Sequence, residues 1–95
     1  MIPEKVMICG IPHTVELCSD SFDFDLHLGQ IDFARAKIKI NKDATQEMQE
    51  QSLVHEMLHG MFAMIGRGDL STDETLVQSL ASALYQSFWL RQPEM

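Results

Sequence analysis

His55-Glu56-Met57-Leu58-His59 is the stretch that decides how this 95-residue chain reads. Around it Val54, Leu58, Met61, Phe62 and Ile65 recur at helical spacing, which predicts one helix with an apolar stripe and with His55 and His59 on the edge of that stripe. Two imidazoles at i and i+4 project from the same side of a helix and can close on one metal ion. Glu56 follows the first histidine directly. Its carboxylate therefore belongs beside the ion but off the His55/His59 line, the place for a general base acting on metal-activated water. A site on the edge of a core is partly desolvated, which suits ligands that must keep one rotamer.

Working outward, the helix is expected to begin near Asp43 to Thr45, with Asp43 and Gln46 as a capping pair, and to run to about Ile65 with Gly66 as its stop. Arg67-Gly68-Asp69-Leu70 reads as a short loop. Ser71-Thr72-Asp73-Glu74 then fits an S-x-x-E capping box, and Leu76, Val77, Leu80, Ala81, Ala83, Leu84 and Phe88 continue a second helix that ends near Arg91 to Pro93. Helices joined by so short a loop pack antiparallel, so the start of the second returns toward the histidines. A hydrolytic zinc site takes three protein ligands and keeps one position open. Glu74, fifteen residues beyond His59, is the preferred third ligand, although the capping box offers it a purely structural use. Asp73 is the alternative, because it shares the phase of Leu76 and Val77, an odd place for a carboxylate with nothing to bind.

The first half of the chain is strand-like. Val6–Cys9 and Thr14–Cys18 read as two strands around a Gly10-Ile11-Pro12-His13 turn, followed by a polar break at Ser19–Ser21. Phe22–Leu26 alternates apolar and acidic residues and fits either a half-buried strand or an extended segment over the core. Gly29–Asp32 resembles a turn. From Ala34 to Ile40, Ala34, Ala36, Ile38 and Ile40 share one face and Arg35, Lys37 and Lys39 the other, the mark of a strand with one side in water. The expected fold is α+β: a single domain over residues 1–95, with a small N-terminal β-sheet packed on two antiparallel helices.

Composition bounds the function. A hydrophobic content of 45% supports a packed core and excludes a wholly disordered chain. A net charge of −7, with seven scattered Lys and Arg, argues against a nucleic-acid surface, which needs a basic face. No apolar run approaches the ~20 residues of a membrane span, and Met1–Gly10 lacks the build of a signal peptide, so the cytoplasm is the expected compartment. Cys9 and Cys18 lie several residues out of register in the expected hairpin and read as reduced packing residues. The methionines at 48, 57, 61 and 64 read chiefly as core filling.

His55-Glu56-Met57-Leu58-His59 followed by Glu74-Thr75-Leu76-Val77-Gln78-Ser79-Leu80-Ala81 resembles the small zincin-type metallopeptidase domains of phages and mobile elements, related to proteases that cleave immunity repressors. The resemblance spans roughly residues 30 to 90; Val77 stands where that family usually has a small residue. It implies zinc held by His55, His59 and Glu74, with Glu56 as catalytic base and a peptide or protein as substrate. The Ala34–Ile40 strand, placed at a cleft edge, would hold an extended peptide by strand addition. His13, His27 and Tyr85 are the residues available as oxyanion donors. Two other classes stand beside this one: a metal-stabilised binding module that catalyses nothing, which a closed four-ligand site would favour, and an interaction protein with an accidental motif.

Overall fold

In a computed structural model of the chain, residues 2–19 and 29–88 are described. The Phe22–Leu26 segment, His27 and the helix end near Arg91–Pro93 lie outside them.

The N-terminal hairpin turns on two residues, Cys9 and Gly10, both in the left-handed region at φ 50° and 82°. A two-residue turn of that hand matches the twist of its strands. It sets β1 (Lys5–Ile8) against β2 (Ile11–Cys18) with Ile8 opposite Ile11 and Lys5 opposite Thr14. The expected turn at Gly10–His13 is therefore corrected: Ile11 to His13 are strand residues, and Cys9 sits in the turn itself. Cys18 lies beyond the end of β1, and the two cysteines form no disulfide with each other.

Gly29–Asp32, which reads as a turn, is instead strand β3, antiparallel to β4 (Lys37–Asn41). The residues between, 33 to 36, form the turn, with Ala36 at φ 51°. Ala34 and Ala36 continue the alternation of Ile38 and Ile40 without belonging to the strand. The sheet order is β1-β2-β4-β3, with β2 and β4 parallel. The lysine-bearing strand is thus interior, and among the described residues β3 forms the edge beside it.

Helix α1 (Gln46–Met64) starts on Thr45, whose hydroxyl accepts the backbone N–H of Met48, rather than on an Asp43/Gln46 pair. It ends in a Schellman motif: Gly66 stands at φ 82°, its N–H reaches Ala63 O at 3.2 Å, and the Arg67 N–H reaches Phe62 O at 2.8 Å. The expected loop after it contains a four-residue helix, α2 (Gly68–Ser71). Helix α3 (Glu74–Phe88) then packs antiparallel to α1, joined by Gln51 to Ser82 at 2.7 Å and Tyr85 to Glu50 at 2.7 Å.

These elements form three layers with α1 in the middle. One side of α1 sends Leu53, Met57 and Met61 onto a sheet core of Ile8, Val15, Ile38 and Ile40. The other sends Val54, Leu58 and Phe62 onto Val77 and Ala81 of α3. Among the described residues α3 packs on α1 and not on the sheet. A helix covered on two sides carries apolar residues around much of its circumference. That is why the single stripe expected from sequence divides in two and leaves Ile65, at its far end, exposed. Ile8, Ile38 and Ile40 are fully buried, each contributing on the order of 1.5–3 kcal/mol. Among the described residues no helix is long and apolar enough to cross a membrane.

Candidate metal centre

The middle helix presents His55 and His59 at its flank, between the sheet and α3, with their side chains 17% and 13% exposed. Their Nε2 atoms face each other at 3.1 Å. Glu74, the first residue of α3, reaches across with Oε1 at 3.3 Å from His55 Nε2 and Oε2 at 3.2 Å from His59 Nε2. The three residues offer donor atoms that all lie within 4.8 Å of one another, the arrangement of a group able to hold a metal ion.

The distances test that fit. Donors sharing one small ion at about 2.0–2.1 Å in a tetrahedral array stand about 3.4 Å apart. The 3.1 Å between the two Nε2 atoms is close to that edge, and Glu74 turns a different oxygen to each ring at 3.2 to 3.3 Å, so that with one donor from each residue the group lies within 4.8 Å. The alternative, an ion pair between Glu74 and protonated imidazoles, is disfavoured at His55: burial, followed by the neighbouring His59, lowers its pKa more than Glu74 and Gln78 raise it. His55 Nδ1 is buried and has no hydrogen-bond partner among the described residues. A neutral imidazole has a lone pair to give to a cation.

The placing of Glu74 depends on its neighbour. Asp73 Oδ1 accepts the Leu76 N–H at 3.0 Å, so Asp73 is the N-cap of α3. The capping box expected to begin at Ser71 does not form; Ser71 closes α2 instead. Asp73 is therefore corrected from alternative ligand to cap, which frees Glu74 for the histidines and leaves its side chain 68% exposed.

Glu56 is 7% exposed beneath this group. Burial, and secondly the Glu74 carboxylate, push its pKa up to about 7. It lines a cleft of about 530 Å³ together with His55, His59, Glu74, Ser71 and the edge strand β3. Strand β3 approaches α1 closely because Gly29 has no side chain: a Cβ there would lie 2.6 Å from Ser52 Oγ and 3.2 Å from Glu56 Cγ. Ile31 and the half-exposed Phe33 supply the apolar part of the cleft.

Two of the expected oxyanion donors lie elsewhere. His13 is fully buried on β2, its Nδ1 bonded to Ile11 O at 2.9 Å, and the Tyr85 hydroxyl is held by Glu50. His27 is outside the described residues. Sequence reading missed Ser71 and Gly29 at the site, since both act through contacts with distant parts of the chain.

No known family model, no curated protein and no solved structure matches the chain.

Proposed function

We propose that the chain is a zinc-dependent peptidase in which His55, His59 and Glu74 hold the metal and Glu56 is the general base. The observation that supports this most is the opening of all four side chains onto one cleft, with the ligand donors gathered within 4.8 Å of one another and a buried carboxyl set near neutral pH beside them. Bound there, zinc supplies Lewis acidity toward water and a carbonyl oxygen. Three protein ligands leave a position for that chemistry, whereas a purely structural zinc site is usually closed by a fourth. Glu56 adds what a ligand set lacks. A carboxylate placed beside the metal position can take a proton from water and return it to the leaving amine, and Glu56 lines the cleft at that place.

The substrate class follows from the cleft's wall. Among the described residues strand β3 is at the sheet edge and lines the cleft, the position from which a strand offers main-chain hydrogen bonds to an extended peptide. The role first given to the Ala34–Ile40 strand passes to β3, because β4 has strands on both sides.

The test uses zinc-loaded protein and a mixed peptide library, with new termini read by mass spectrometry. Cleavage is expected from the parent and is expected to fall ~10²-fold or more in Glu56→Gln, which keeps its zinc. Equal cleavage by both proteins, or none from a fully loaded parent, contradicts the peptidase reading.

A further inference from the structure

The two histidines of the site are held differently on the side away from the metal position. His55 Nδ1 is buried without a hydrogen-bond partner among the described residues. His59 Nδ1 lies 3.4 Å from Ser71 Oγ, and the same hydroxyl lies 3.2 Å from the backbone carbonyl of His59. A carbonyl oxygen only accepts, so the one hydroxyl hydrogen of Ser71 goes to His59 O. Toward the ring Ser71 Oγ is then only an acceptor. With that donation in place Ser71 Oγ can accept a hydrogen on His59 Nδ1, the tautomer that leaves Nε2 as a bare lone pair facing His55 and Glu74.

We infer that Ser71 is a positioning residue that presets the His59 tautomer for metal binding, and that His55 receives no such preset. The inference rests on the metal reading above in taking His59 Nε2 as a ligand. Ser71 is suited to the task because it is itself buried and its backbone is fixed as the last residue of α2, with its N–H on Arg67 O at 3.1 Å. The short helix between the two long ones thus has a use: it carries one hydroxyl to the rear of His59. Without the preset, an imidazole divides its proton between the two nitrogens, and each molecule with the proton on Nε2 must rearrange before it can bind. His55 is the internal comparison, since its Nε2 hydrogen can point at His59 Nε2 while its Nδ1 remains bare.

The experiment records ring nitrogen shifts of both histidines by long-range ¹H–¹⁵N NMR on metal-free full-length protein, then zinc affinity by competition with a chromophoric chelator. The parent is expected to show His59 with its proton on Nδ1 before zinc is added, and His55 adopting that form only with zinc. Ser71→Ala is expected to shift His59 toward the Nε2-protonated form and to weaken zinc at least tenfold, within the range for lost outer contacts to a ligand. Ser71→Thr, which keeps the hydroxyl, is expected to restore both and carries the test should Ser71→Ala not fold. A parent His59 protonated on Nε2 overturns the inference, as does a Ser71→Ala protein matching the parent in tautomer and affinity. So does a loss of affinity with no change of tautomer, which would make Ser71 a packing residue. A parent that binds no zinc overturns the metal reading itself, whatever its tautomers.

Discussion

Glu56 concentrates the chemistry of the site in one residue, and it should be felt in stability before any substrate is added. In metal-free protein its pKa stands at about 7 against an ordinary 4.5, raised first by burial and then by Glu74. The folded state therefore disfavours the carboxylate. The contribution of Glu56 to stability is intact below about pH 4.5 and is lost as pH rises through 7, by up to roughly 3 kcal/mol. Glu56→Gln removes the charge. With chelator present, this variant is expected to melt above the parent at pH 8, with the gap closing toward pH 4.5. A gap of the same size at both pH values would show that Glu56 is not the strained group the geometry implies.

Elements fix where these residues stand, and two element boundaries carry separate expectations. At the start of α3, Asp73 caps the helix while Glu74 reaches the histidines. Asp73→Ala is expected to cost about 1 kcal/mol of stability with zinc affinity changed less than about threefold, whereas Glu74→Gln is expected to weaken zinc tenfold or more. Thermal melts and chelator competition on both variants separate the roles; the opposite pattern would make Asp73 the ligand. At the start of β3, Gly29→Ala places a methyl against Ser52 and Glu56 and is expected to cost about 1–3 kcal/mol. Ser52→Ala in the same chain removes the nearest atom and should recover part of that loss, a coupling that a melt of the double variant measures. The grouping of His55, His59 and Glu74 is legible in the sequence because a helix's own period brings the two histidines together and a short connection returns Glu74 to them. Strand β3 is not, since Gly29 and Asp32 carry turn composition and only pairing with β4, a non-local fact, makes them a strand. Ala34 and Ala36 misread for the opposite reason: turn residues that fall in phase with Ile38 and Ile40 look like more strand. Helix α2 is too short to show any period, so the contact from Ser71 to His59 leaves no trace in the local pattern.

At the scale of the whole molecule, the three layers explain why so small a chain can hold a partly buried polar site. The sheet and α3 cover opposite sides of α1, and the flank left between them is where His55, His59 and Glu56 open on the cleft. An ion held jointly by Glu74 on α3 and the histidines on α1 would tie the third layer to the second. Zinc bound to the native state alone raises the melting temperature as its concentration rises above the dissociation constant. X-ray absorption at the zinc edge of protein loaded with one equivalent reads the ligand set directly. Two imidazoles and oxygen donors at about 2.0–2.1 Å, with no sulfur, are the expected shell. A sulfur shell at about 2.3 Å, drawn from Cys9 or Cys18, or a shell without imidazole scattering, would contradict the account.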